Sequence, residues 1–269
     1  RIDDPERSTI SIAGERYILV RAASMSVEFF ALVLSLYQDR GPREARSVAN
    51  NLLFDIAHAI GRADARSFHE RMGVTDPVER LSAGPIHFSF SGWAFVKILP
   101  ESRPSPDQDF LIVYDHPFSF ESDAWISRGR KSEAPVCIMN AGYSSGWCEE
   151  SFGFPLVAVE VQCRARGDPH CRFIMAPPSR IEERVAEHRR QSGAVPLAPR
   201  AEAEIRVPEF FQRKRMEDQI RASHEELEQR VWARTAELAR ANRALEETIR
   251  HREMMEEQLL KAQKMEGIG

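Results

Sequence analysis

The chain has 269 residues and carries 37 Lys and Arg against 41 Asp and Glu, a formal net charge of −4. That length admits one large domain with an appendage, and the acidic balance excludes a protein that coats nucleic-acid phosphates. A hydrophobic content of 42% supplies a core and excludes a wholly disordered chain.

The longest mainly apolar run, Phe29 to Tyr37, is far short of the ~20 residues of a membrane helix, so no span is expected. Residues 1–20 have no apolar segment of the signal-peptide kind. All four cysteines lie between 137 and 171, which does not make a disulfide framework. A cytoplasmic setting is therefore expected. The chain starts at Arg1, which suggests a piece of something longer.

In chain order, Thr9–Val20 alternates like a strand pair turning at Ala13-Gly14. Helical spacing follows over Met25–Gln38, Pro42–Ile60 and Ala63–Met72. Ile86–Leu99 and Asp109–Tyr114 read as strands, Asp123–Gly129 as a short helix and Pro135–Glu150 as a longer one. Leu156–Cys163 and Cys171–Ala176 form a hairpin around Arg166-Gly167-Asp168-Pro169. The expectation is an α+β domain of mixed helices and antiparallel sheet. Five prolines (Pro177, Pro178, Pro196, Pro199 and Pro208) mark a linker, with room for a short exposed helix over Arg180–Arg190. Residues 209–266 contain no Gly or Pro and are dense in balanced charge, as in a long helix. Ile220, Leu227, Ala241, Thr248, Met255 and Ala262 recur as d positions of a heptad, and Val231, Leu238, Leu245 and Leu259 as a positions. That pattern predicts a parallel homodimeric coiled coil.

Cys163 and Cys171 flank the hairpin turn, so their sulfurs are brought close across the ladder. A tetrahedral zinc needs two more ligands, available among Cys137, Cys148, Glu160 and His170; the plainer alternative is a set of buried thiols. Glu160 and Cys163 are three apart and face opposite sides of a regular strand, so both can ligate one metal only if the strand bulges or ends there. Phe88, Phe90, Trp93, Phe95, Phe110, Ile112, Tyr114, Tyr143 and Trp147 supply more aromatic and apolar surface than one layer needs. A cavity for a small apolar molecule is one use of it, and plain core is the other.

The stretch Pro135-Val136-Cys137-Ile138-Met139 through Gly142-Tyr143-Ser144-Ser145-Gly146, then Glu160-Val161-Gln162-Cys163 and Gly167-Asp168-Pro169-His170-Cys171, resembles the 4-vinyl-reductase-type domain of bacterial activators of aromatic catabolism. The likeness covers roughly residues 8–178. It implies a structural zinc held by Cys137, Glu160, Cys163 and Cys171, with Cys148 an extra thiol. It also implies a buried pocket for a small aromatic or apolar effector. The histidine that grips such a ligand falls on His87, and the tryptophan of a pattern like FxWxxS falls on Tyr114, with Phe110, Ile112, Tyr143 and Trp93 around them.

The tail Leu227–Leu238 is similar to signalling helices ahead of histidine-kinase cores, and Glu257–Gly269 resembles the start of a phosphoacceptor helix. The leading expectation is the input module of a two-component sensor, with a kinase core and response regulator downstream. It would comprise a dimerising part (1–80), a ligand- and zinc-binding part (81–178), a linker (179–208) and a signalling coiled coil (209–269). A scaffold that binds no ligand and the sensory half of a transcription activator are the alternatives. No catalytic constellation stands out, so no enzyme is expected, and neither nucleic acid nor membrane is expected as a direct partner.

Overall fold

The computed structural model describes residues 1–12, 14–191 and 209–266. The chain divides into two units, Arg1–Arg215 and Met216–Gly269.

The first unit opens with a three-stranded antiparallel meander, β1 (Ile2–Asp4), β2 (Thr9–Ile12) and β3 (Glu15–Tyr17). Ile12 pairs with Glu15, so the turn is tight, and Gly14 takes the positive φ of 80° that it needs. Helix α1 (Val27–Leu36) follows, then α2 (Pro42–Met72).

The two helices expected over Pro42–Ile60 and Ala63–Met72 are this single helix. Gly61 does not interrupt it; it is the point where α5 (Ile138–Phe152) crosses. A Cβ on Gly61 would lie 2.2 Å from the Tyr143 carbonyl oxygen. From the other side, a Cβ on Gly142 would lie 2.4 Å from the Phe54 oxygen, and one on Gly146 2.2 Å from the His58 oxygen. The Gly-Tyr-Ser-Ser-Gly run thus lets two helix backbones touch. Arg62 and Arg66 of α2 then clamp Glu150 of α5.

A second correction concerns Ile86–Leu99. Residues up to Phe90 belong to a helix, α3 (Pro77–Phe90), and only β4 (Ala94–Ile98) is strand. The apolar alternation Ile86, Phe88, Phe90 imitates a strand, but Asp76 caps Val78 and Glu79 through its carboxylate and Pro77 starts the helix. The buried residues Leu81, Gly84, His87 and Phe88 have helical spacing. Pro85 sits inside it. The strand expected at Asp109–Tyr114 starts later, as β5 (Ile112–Ser119), because Asp107–Phe110 closes a turn. The short helix expected at Asp123–Gly129 is α4 (Phe120–Ser127).

β6 (Val157–Gln162) and β7 (Cys171–Ala176) form the expected hairpin and complete an antiparallel sheet of order β4-β5-β7-β6. Residues opposite each other share a face. Ile112, Tyr114 and His116 of β5 therefore lie beside Met175, Phe173 and Cys171 of β7, under α3 and α5. The opposite face carries Asp115 paired with Arg172 and is covered by α6 (Ile181–Gln191). The segment expected to be an exposed linker helix thus belongs to the domain, with Ile181 and Val185 buried and Arg180 and Arg184 ion-paired to Asp109. The rest of the expected linker, 192–208, lies outside the described residues.

Helix α7 (Glu209–Glu266) runs through the whole segment expected to be helical. In the second unit Ile220, Leu227, Val231, Leu238, Leu245 and Met255 stand exposed along it. Among the described residues no helix is long and apolar enough to cross a membrane.

Candidate ligand cavity and metal centre

A cavity of about 50 Å³ lies between α3, α5 and the sheet. Leu81, Gly84, Pro85 and Phe88 line it from α3, and Tyr143, Ser144, Trp147 and Cys148 from α5. Val96, Ile98, Ile112, Tyr114, His116 and Met175 line it from the strands. Gly84 is required at its place: a Cβ there would meet the Trp147 indole nitrogen at 2.8 Å.

Most polar groups on this wall are already committed. Trp147 Nε1 donates to the Arg80 carbonyl. Tyr143 Oη donates to Asp64 at 2.8 Å and meets His87 Nδ1 at 2.9 Å. Tyr114 Oη donates to Ser144 Oγ at 2.8 Å, and Ser144 in turn donates to the Asn140 carbonyl. His116 differs. It is fully buried, and neither ring nitrogen has a hydrogen-bond partner. Its ring packs against Phe88, Tyr114 and Phe173. Burial pushes its pKa down to about 3, so the ring is neutral, with one donor and one acceptor.

Of the six residues expected around a ligand, Tyr114, Ile112 and Tyr143 line the cavity. The other three do not. His87 is turned away from it, with Nε2 3.0 Å from Tyr17 Oη and the ring among Phe68, Tyr143 and Trp147. The reason is the helix: on α3, Phe88 and Gly84 face the cavity and His87 faces α2 and β3. Phe110 lies in the loop before β5 and packs on Phe152 and Phe154. Trp93 stands behind the wall, stacked on Phe88 and edge-on to Phe120.

His116 was missed, and a signal for it was present. In the FxWxxS pattern the serine is three residues after the tryptophan. Counting back from Ser119 puts the tryptophan place at His116 and the phenylalanine place at Tyr114.

The second centre lies on the same sheet face, one register step away. One ligand atom each from Cys137, Glu160, Cys163 and Cys171 falls within 4.8 Å of every other, and all four residues are buried. Cys137 begins α5, Glu160 is on β6, Cys163 follows β6 and Cys171 opens β7. The geometric objection raised by Glu160 and Cys163 is resolved in two ways at once. The register shifts between Glu160 and Gln162, and the strand ends at Gln162. Glu160 Oε2 accepts from the Cys137 backbone N–H at 2.8 Å, while Oε1 is buried without a partner. Burial pushes the Cys137 thiol and the Glu160 carboxyl up. Hydrogen bonds from the Cys137 and Cys163 thiols hold Cys171 far below the usual thiol range. Three soft sulfurs and an orphaned carboxylate oxygen converging in a buried site are the donor set of a four-coordinate structural zinc. Cys148 stands apart, in the cavity wall, with its thiol raised to about 12 by burial.

The region holding both centres has a family signature. Residues 118–177 match the vinyl-4-reductase (4VR) domain. These residues hold β5's end, α4, α5 and the β6/β7 hairpin, and so all four candidate ligands. Two regulators resemble the chain over longer stretches. The phenol regulator MopR of Acinetobacter guillouiae is 28% identical over 125 residues, covering 46% of this chain and 22% of that protein. The transcriptional regulatory protein XylR of Pseudomonas putida is 25% identical over 161 residues, covering 60% of this chain and 27% of that protein. The chain thus spans about a quarter of the length of the curated relatives it matches. Among solved structures, the phenol-responsive sensory domain of the transcription activator PoxR, determined with phenol, superposes with a TM-score of 0.59. It is 23% identical, with 70% of this chain and 89% of that one covered. That superposition establishes a shared α+β fold.

Proposed function

We propose that the first unit is a cytoplasmic effector-sensing module that binds a small aromatic molecule in the cavity between α3, α5 and the sheet. The observation that carries this reading is His116, a neutral imidazole with both nitrogens unpartnered at the edge of an otherwise apolar cavity. An unpaired buried polar group costs folding free energy, about 1–3 kcal/mol. A guest with a hydroxyl group would satisfy it. The phenol-responsive nature of two of the similar proteins supports the ligand class. Because the similar proteins are transcription regulators, the sensory half of such an activator is favoured over a kinase input module. The chain would dimerise, and no catalytic step is assigned to it.

The metal centre belongs to the same reading. Cys137, Glu160, Cys163 and Cys171 would hold a zinc ion, which when bound supplies a rigid cross-link. These residues then fix the start of α5 to the sheet and so hold the cavity wall in place.

Thermal melting of the zinc-supplied protein with and without phenol tests the ligand reading. Phenol is expected to raise the midpoint of the wild type, because a guest of the folded state stabilises it by mass action. His116→Leu should abolish that rise and leave the ligand-free midpoint equal or higher, since an unpaired polar group is removed. A His116→Leu protein that responds to phenol like the wild type would sink the assignment.

A further inference from the structure

The polar groups around the cavity specify more than an aromatic ring. Tyr143 and Trp147 spend their donors away from it, on Asp64 and the Arg80 carbonyl. Tyr114 spends its own proton on Ser144, and Ser144 spends its proton on the Asn140 carbonyl. The Tyr114 oxygen, fully buried on the cavity wall, is left able to accept and unable to donate. His116 stands two residues along the same strand face, ring centroids 5.3 Å apart, and offers one donor and one acceptor. The remaining lining is hydrocarbon, apart from the weakly polar Cys148 thiol and Met175 thioether.

A monohydroxy ring satisfies only one of these two positions. With its hydroxyl on His116, it leaves the Tyr114 oxygen without a donor. With its hydroxyl on Tyr114, it leaves His116 as it is. A ring with two hydroxyls serves both. One hydroxyl donates to Tyr114 and extends a chain of donors through Ser144 to the Asn140 carbonyl, in which each bond polarises the next. The other exchanges hydrogen bonds with His116. We propose that the cavity selects a single aromatic ring bearing two polar-hydrogen groups, the dihydroxybenzene class, with Tyr114 as the residue that reads the second group. The proposal rests on the effector-binding reading given above and sharpens it. The size of the cavity agrees: about 50 Å³ is well below the ~150 Å³ that accommodates benzene in an engineered apolar cavity. A single ring already requires the walls to move outward, and a fused pair of rings is excluded.

Titration calorimetry on the full zinc-supplied chain tests this, with toluene, phenol, catechol, resorcinol and hydroquinone as probes. Resorcinol and hydroquinone cannot chelate the metal, and they guard against catechol acting by stripping zinc. At least one dihydroxybenzene is expected to bind about five- to tenfold more tightly than phenol, the worth of one further hydrogen bond. Tyr114→Phe keeps the ring and removes the acceptor. It should bring the dihydroxybenzenes down to the phenol level and leave phenol within about twofold of its wild-type affinity, since this loss is confined to one hydrogen bond. Phenol matching every dihydroxybenzene, or Tyr114→Phe weakening phenol as much as the others, overturns the proposal while leaving an effector site in place. Binding of none of the five overturns the effector reading as well.

Discussion

At the scale of single residues, the buried polar side chains divide into those that are satisfied and those that are not. His87 belongs to the first group: its two nitrogens tie Tyr17 on β3 to Tyr143 on α5, beside Asp64 on α2. Replacing it with Leu breaks two buried hydrogen bonds, at an expected cost of about 1–3 kcal/mol in chemical denaturation. The phenol response of this variant, measured by melting, should persist, in contrast to that of His116→Leu. Glu150 gives a pH signature. Hydrogen bonds from Arg66 and Arg62 hold its carboxyl below the usual range. Because the folded value is the lower one, the stabilisation is complete above the unfolded value near 4.5 and is lost as pH falls through the folded value. Urea midpoints measured down the acid range should fall more steeply for the wild type than for Glu150→Gln.

The candidate metal ligands were legible in the sequence because cysteines are few and their spacing survives any detail of the backbone. The cavity residues were not, because their identification depends on which way a side chain points. A one-residue error of register, or a helix taken for a strand, exchanges His87 for Phe88 and Tyr114 for His116.

At the scale of elements, the crossing of α2 and α5 sets the position of everything else. Gly142 and Gly146 are there so that two backbones can touch. Gly146→Ala would put a methyl group 2.2 Å from the His58 carbonyl oxygen. Overpacking of this kind costs about 1–3 kcal/mol or more, and a thermal melt should show it without any change in metal content. The candidate metal centre bears on the same helix from its start. Cys137 joins α5 to β6 and β7, and the Glu121 carboxylate accepts the Met139 and Asn140 N–H groups beside it. Elemental analysis should find about one zinc per chain, as the four-ligand set requires. Cys171→Ser should lower both the metal content and the melting point; unchanged values would remove the metal assignment. The hairpin was legible in the sequence from its Gly-Asp-Pro turn, and α5 from its spacing. Helix α3 was hidden because Gly84 and Pro85, which usually interrupt helices, serve here to fit Trp147 and to wall the cavity.

At the scale of the molecule, the two units differ in how they dispose of apolar surface. The first buries its own around one core. In the second, Leu227, Val231, Leu238 and Leu245 line up at heptad spacing and are all exposed in the single chain, so a second helix is the partner that would cover them. Sedimentation of the full chain should give a dimer, and Leu238→Asp together with Leu245→Asp should weaken it; a monomeric wild type would refute the pairing. Pro85 has a further consequence. It has no N–H to give the Leu81 carbonyl one turn back, so α3 already lacks a rung where both residues wall the cavity. Bending there breaks no bond that a regular helix would have made. Since a ring needs more room than the closed cavity has, the opening of α3 would govern the tempo of capture. Stopped-flow mixing should therefore show association far slower than diffusion, nearly equal for phenol and resorcinol. The discrimination between them should lie in how long each stays.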